Sequence, residues 1–163
     1  MNTIPTHHTA VVGVIADTHG KLSRSAIQAL IDVELIIHAG DIDTIAVFEQ
    51  LKRIAPVRAV RGNMDRGTGL PNLPTTDVVQ VGEVRLYVLH NLEDLDINPV
   101  AAGFDAVIYG HSHQPENKER GGILFLNPGS ATSPRKSTSP SLVRLHIKGK
   151  NIRVEMINLE RGF

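Results

Sequence analysis

The first sixty residues alternate short β-branched runs with amphipathic helical patterns, and only a few architectures accept that arrangement. AVVGVIA (10–16) reads as a fully buried strand, ELIIHAG (34–40) as a second and VRAVRG (57–62) as a third. Between the first two, Ser23 or Ser25 caps a helix with Ala26, Ile27, Leu30 and Ile31 on its inner face. A second helix begins near Thr44, carries Ile45, Phe48, Leu51 and Ile54 at helical spacing, and ends at Pro56. This is the signature of βαβ units.

From Asp77 the pattern changes. DVVQVGEVRLYVLH reads as two antiparallel strands joined by a tight turn at Gly82-Glu83. A weaker helical segment is expected over 94–103, bent or delayed by Pro99. DAVIYG (105–110), ILFLN (123–127) and a C-terminal hairpin turning at Gly149-Lys150-Asn151 complete the strands. Two long loops, 63–77 and 127–141, stand out as candidates for function. The expected fold is α/β: two packed mixed β-sheets with helices outside, in one domain spanning 1–163, with 1–9 a flexible leader. No role is assigned to His7 or His8.

Composition excludes several classes. Lys+Arg and Asp+Glu balance at 17 each and aromatics make up 4%, so neither a basic field nor a stacking platform for long nucleic acid is present. The chain has no cysteine, which removes disulfides, thiolate metal sites and cysteine nucleophiles. No run approaches the ~20 apolar residues of a membrane span, and the N-terminus lacks the basic and apolar regions of a secretory signal. A cytoplasmic location is expected, with no membrane partner.

The polar residues that follow the apolar runs form a set. Asp17 and His19 follow the first strand, Asp41 the second and Asn63 the third; His90 ends LYVL, and His111 and His113 end AVIYG. In open α/β sheets, ligands bind outside the carboxyl ends of the strands, where such loops converge. Seven imidazole, amide and carboxylate groups exceed the four of a tetrahedral zinc site. They fit two metals sharing a carboxylate, for which Asp41 is the natural bridge. Nitrogen and oxygen donors without sulfur favour manganese, iron, zinc, cobalt or nickel, and donor type does not choose among them; two divalent transition-metal ions are the expected cofactors, with manganese the first expectation.

D-x-H (Asp17 to His19), G-D (Gly40-Asp41), G-N (Gly62-Asn63), a lone His90 and G-H-x-H (Gly110 to His113) occur in that order. In this the chain resembles the calcineurin-like metallophosphoesterase superfamily. The G-N-x-D form (Asn63-Met64-Asp65) and short length are similar to its compact YfcE-type branch. The resemblance runs from about residue 11 to the end and includes NPGS (127–130). It implies a four-layer α-β-β-α sandwich and a dinuclear phosphoesterase, a phosphodiesterase first of all, in which a metal-bridging hydroxide attacks phosphorus in line. It implies one metal on Asp17, His19, Asp41 and His113, and the other on Asp41, Asn63, His90 and His111. The residues alone would have placed His111 and His113 on one ion; the resemblance divides them. Asp41, Asn63 and His90 are the implied catalytic set.

Two positions depart from the family. Many members carry a histidine after the G-N asparagine, where this chain has Met64; Arg66 or Arg135 are candidates to supply positive charge, Arg135 as a contact to substrate phosphate. The branch commonly has glycine after its lone histidine, where this chain has Asn91. The first departure implies a preference for esters with acidic leaving groups. A small phosphorylated substrate is expected, and homo-oligomers are common in the branch. The alternatives are a phosphomonoesterase or a non-catalytic protein-interaction scaffold of the same fold, for which a eukaryotic retromer subunit resembling this family is the precedent. His38 reads as a satisfied core histidine or a group supporting a ligand from behind, Lys136 as a solvated loop residue, and Asn127 and Ser130 as formers of the NPGS turn.

Overall fold

In a computed structural model, residues 8–65, 69–135 and 138–161 are described; Arg66, Lys136 and the first seven residues lie outside them. β1 (Ala10–Ile15), β2 (Leu35–His38) and β3 (Val57–Ala59) lie parallel. The hairpin of β9 (Ser141–Lys148) and β10 (Asn151–Asn158) joins them antiparallel, giving the order β10-β9-β1-β2-β3. The second sheet is ordered β4-β5-β6-β8-β7, from β4 (Thr76–Val81), β5 (Val84–Leu89), β6 (Ala106–Ile108), β7 (Glu116–Arg120) and β8 (Ile123–Asn127). β5, β6 and β8 are parallel, and β4 and β7 close the edges antiparallel.

Alternation along each strand assigns its two faces. Val12, Val14 and Ile37 from the first sheet meet Leu86, Val88, Ile108 and Leu126 from the second in a shared, dry interior. Ile15 and Ile36 point the other way, beneath α1 (Arg24–Ala29) and α2 (Ile45–Ile54). Ser23 is the cap of α1, accepting from the Ala26 amide, and Thr44 caps α2 by accepting from Val47. Ile31 is 50% exposed, contrary to the expectation for α1, because the helix stops at Ala29 and Ile31 falls out of its phase.

The outer face of the second sheet carries a third cluster, with Tyr87, Phe104, Val107 and Phe125 covered by Leu92, Leu95 and Ile97. The two packed mixed sheets match the α/β sandwich expected, with a thin fourth layer. In place of a helix over 94–103 there is a 3₁₀ turn, Leu92–Asp94, and a single turn begun by Asn98. The Asn98 side chain accepts from the Val100 and Ala101 amides, and Gly103 leaves that turn at φ +80°. β7 was not expected either: ENKER alternates nothing, and as an edge strand it needs only one paired side.

Leu126 is fully buried between the sheets. Leu126→Ala is expected to cost about 2–5 kcal/mol in urea denaturation, the range for a large-to-small change in a packed interior.

Candidate metal centre

The residues after β1, β2, β3, β5 and β6 meet at one edge. The His90 ring reaches the Ala39 carbonyl, the His111 amide donates to Asp17 Oδ2 at 3.0 Å, and the Asn63 amide oxygen lies 3.0 Å from His90 Nε2. Close approach explains the glycines of two motifs. A Cβ at Gly40 (φ +103°) would collide with the His90 imidazole, and one at Gly62 with the Asp41 carboxylate.

Each of three imidazoles is oriented through one nitrogen so that the other faces the cluster. His90 Nδ1 donates to Ala39 O at 2.7 Å, and His113 Nδ1 donates to Ser133 O at 2.7 Å. A carbonyl only accepts, so the proton sits on Nδ1 in both rings. His19 Nδ1 donates to Asp43 Oδ2 at 3.0 Å. The three Nε2 lone pairs then face other lone pairs. His19 Nε2 and His113 Nε2 are 3.1 Å apart, His113 Nε2 is 3.5 Å from Asp17 Oδ1, and His90 Nε2 is 3.3 Å from Asp41 Oδ2. Lone pairs of neutral imidazoles and of carboxylates repel in such a set; a cation among them relieves it.

The carboxylates point the same way. Asp17 and Asp41 are 0% and 3% exposed, and among the described residues no lysine or arginine pairs with either. Asp17 Oδ1 is buried without a hydrogen-bond partner. A buried, unpaired carboxylate oxygen is costly unless a cation meets it. Donor atoms of Asp17, His19 and His113 lie within 4.8 Å of one another, as do those of Asp17, Asp41 and His90. The donor set therefore fits divalent metal.

The remaining expected residues lie close by. Asn63 and His111 are exposed, and the His111 ring packs edge-on against His90 at 5.2 Å between centroids. Arg135 is exposed, and its charge opposes protonation of His113. Met64 is 54% exposed, while its backbone amide donates to Asp41 Oδ1 at 2.8 Å.

Two residues went unassigned in the sequence. Asp65 is buried, and its carboxylate accepts from the amides of Asp41, Gly62 and Asp43, clasping two loops together. Asp43 orients His19. Their signal was the second acid in G-D-x-D and G-N-x-D. Asn127 shapes its turn as expected, accepting from Gly129 N, but Ser130 also donates to the Asp17 carbonyl at 2.8 Å. The 127–141 loop thus holds both Asp17 and, through Ser133, His113.

Ionisation follows the same geometry. Burial pushes the Asp41 carboxyl up, but a proton on His90 Nε2, the Met64 amide and the charges of His90 and His19 leave it below its ordinary value. Burial lowers His90, and Asp41, placed to accept from a protonated Nε2 and to attract its charge, outweighs that and raises it. A proton arriving on His113 Nε2 would be met by Asp17 Oδ1, which raises His113 despite burial. Desolvation raises Asp43 against the pull of His19.

His38 behaves oppositely, and it is the satisfied core histidine expected. It is fully buried; Nδ1 accepts from the Gly40 amide at 3.1 Å and Nε2 lies 3.0 Å from Thr18 Oγ1. A second proton would have to sit on Nδ1, against an N–H. Burial pushes His38 down from 6.5 to about 3, with Asp65 and Asp41 pulling weakly upward.

The sequence profile of the calcineurin-like phosphoesterase superfamily domain matches residues 11–150. A probable metallophosphoesterase of Methanothermobacter thermautotrophicus is 35% identical over 159 residues, covering 90% of this chain and 91% of that protein. A phosphodiesterase of Methanocaldococcus jannaschii is 27% identical over 136 residues, covering 72% of this chain and 82% of that protein. The structure of vacuolar protein sorting 29 from Cryptosporidium parvum superposes with a TM-score of 0.76 at 22% identity, covering 94% of this chain and 99% of that one. The chain belongs to the calcineurin-like phosphoesterase superfamily. Among the described residues no helix is long and apolar enough to cross a membrane.

Because folded His38 stays neutral, the stability it contributes is present above pH 6.5 and is lost as pH falls from there toward 3. His38→Asn keeps an acceptor for Gly40 and removes that titration. In urea denaturation of chelator-treated protein, the parent is expected to lose about 2 kcal/mol more than the variant between pH 7.5 and pH 5. Equal losses would mean His38 accepts a proton in the fold.

Proposed function

We propose that this protein is a metal-dependent phosphodiesterase whose cluster takes two divalent transition-metal ions, manganese foremost. The observation that carries the reading is the buried Asp17 Oδ1, without a hydrogen-bond partner and faced by imidazole nitrogens rather than cationic side chains. Asp17, His19, Asp41 and His113 would hold one ion and Asp41, Asn63, His90 and His111 the other, with Asp41 shared. Bound divalent ions supply Lewis acidity toward phosphoryl oxygens and a water acidified enough to attack at neutral pH.

The chain's own residues prepare that chemistry. Ala39 O, Ser133 O and Asp43 hold the ring protons on Nδ1, keeping each Nε2 free. The Met64 amide fixes one oxygen of Asp41 and leaves the other toward His90. In the net reaction water adds to phosphorus, one P–O ester bond breaks, and an alcohol and a phosphomonoester leave. Arg135 is the residue on the His113 side that would meet a substrate phosphate. The phosphodiesterase name of the Methanocaldococcus relative supports the ester class. The balanced charge supports a small substrate over long nucleic acid, and a cytoplasmic setting is proposed with it.

A second reading draws on the likeness to vacuolar protein sorting 29: a scaffold of the same fold. The retention of all seven donor positions favours the enzyme. Hydrolysis of bis-p-nitrophenyl phosphate and p-nitrophenyl phosphate separates the two, using chelator-stripped protein reloaded singly with Mn, Ni, Co, Zn or Mg. Metal-restored cleavage of the diester is expected, with Asn63→Ala lowering it on the order of 100-fold or more. Two bound equivalents without turnover would favour the scaffold.

The exposed thioether of Met64 offers no proton to a departing alcohol. Aryl phosphodiesters are therefore expected to turn over faster than dialkyl ones by more than in family members with histidine at that position. A comparison of methyl p-nitrophenyl and dimethyl phosphate rates in Met64→His and the parent reads this directly; an unchanged ratio would remove position 64 from leaving-group protonation.

A further inference from the structure

A cavity of about 370 Å³ opens beside the donor cluster. Asn63, His90 and His111 line it on the cluster side, and Arg61, Asp94 and Asp96 contribute its charged groups. The volume lies within the range of small-molecule sites, roughly 300–1,000 Å³. Local folding sets the acids in place. The Asn91 side chain accepts from the Glu93 amide and starts the 3₁₀ turn, and the Asp94 amide donates to Asn91 O. Leu92, Leu95 and Ile97 pack onto the outer face of the second sheet, so Asp94 and Asp96 are left exposed between them. Asn91, which departs from the glycine common in the branch, thus caps the turn that carries Asp94.

Among the described residues, the side chains of Arg61, Asp94 and Asp96 have no ion pair or hydrogen bond. One guanidinium against two carboxylates leaves the lining with a formal excess of negative charge. A cation held by Asn63, His90 and His111 would make the cluster side positive, so the negative sign belongs to the wall of Asp94 and Asp96; that wall is opposite in sign to what a second phosphate group needs, and it lies next to the donors that would meet the first.

We propose that this cavity receives the alcohol portion of the ester, and that Asp94 and Asp96 select alcohols bearing an amino or hydroxyl donor over alcohols bearing a further negative charge. The assignment rests on the phosphodiesterase reading above and names its substrate class: diesters of small amino alcohols or polyols. The carboxylates accept hydrogen bonds from such donors and attract an ammonium group; they repel a carboxylate or phosphate.

The test uses three p-nitrophenyl phosphodiesters, of 2-aminoethanol, ethanol and glycolate, with metal-loaded full-length protein. Water adds to phosphorus and p-nitrophenolate leaves in each, so only the retained alcohol differs. The expected order of kcat/KM is aminoethyl, ethyl, carboxymethyl, with an aminoethyl to carboxymethyl ratio on the order of ten-fold beyond that of Asp94→Asn/Asp96→Asn. The variant's ratio is the reference, because intrinsic reactivity of the esters is common to both proteins. The difference is expected mainly in KM and to shrink with added salt.

Calorimetric titration with the methylphosphonate monoesters of the same three alcohols, which carry no p-nitrophenyl leaving group, gives a second readout. Equal ratios in parent and variant, with turnover intact, overturn the cavity assignment and leave the phosphodiesterase reading standing. Absence of turnover with every metal overturns that reading, and the titration then decides the cavity. An aminoethyl preference lost in the variant sustains it, and equal affinities overturn it.

Discussion

The site depends on backbone held where side chains resist being. Asp17, His19, Asp41, Asp43, His111 and His113 have φ between 49° and 73°, in the left-handed region that L residues avoid. Each such residue costs about 1–3 kcal/mol, and a structure keeps it only where its surroundings over-determine it. Those surroundings are explicit. The Asp17 amide donates to Gly40 O, the His19 amide to Asp41 O, and the His111 amide to the Asp17 carboxylate. The loop after one strand is tied to the loop after another at each step. The chain reverses sharply at each strand end, so a short segment can deliver donors from two residues, as in Asp17 and His19.

Asp65 and His38 complete that framework from opposite electrostatic positions. Asp65 gathers three amides from both sides of Asp41, placing negative charge behind the cluster. His38 fills the remaining space as a neutral ring, accepting from Gly40. A charged His38 would oppose the backbone N–H and add positive charge where a metal is to bind. Its depressed basicity suits the site, since it leaves cationic character to whatever occupies the cluster. By contrast, His90 and His113 are raised by their carboxylate partners, so protons and metal compete for the same lone pairs.

Much of this was legible in the sequence because apolar strands and the polar residues after them carry separate signals. Asp17, His19, Asp41, Asn63, His90, His111 and His113 could all be named, since each follows a strand whose hydrophobic run is unambiguous. β7 could not: its charged side chains report neither burial nor alternation, and the pairing of its backbone with β8 leaves no mark on composition. The segment 94–103 carried a helical pattern whose apolar residues pack onto the sheet from a 3₁₀ turn and a loop instead, because the Asn98 side chain and Gly103 confine the helical backbone to one turn. Asp65 stood in view in the G-N-x-D motif, but its role did not. Its partners are backbone amides, which every residue possesses, so no residue type elsewhere betrays the contact.

Position 64 shows why ligand geometry and chemistry can vary independently on this scaffold. What Met64 gives to Asp41 comes from its amide, and its side chain points to solvent. Any residue but proline supplies that amide, so the Asp41 carboxylate keeps its orientation whichever side chain follows Asn63. The side chain at 64 is therefore free to change without moving a donor atom. Asn91 is similarly placed on the second sheet: it follows His90 directly, yet its hydrogen bonds go to the 3₁₀ turn rather than to the ring. His90 is held instead by Ala39, across the interface between the sheets. The donors are thus fixed by contacts between loops, while Met64 and Asn91, which directly follow Asn63 and His90, keep their side chains out of those contacts.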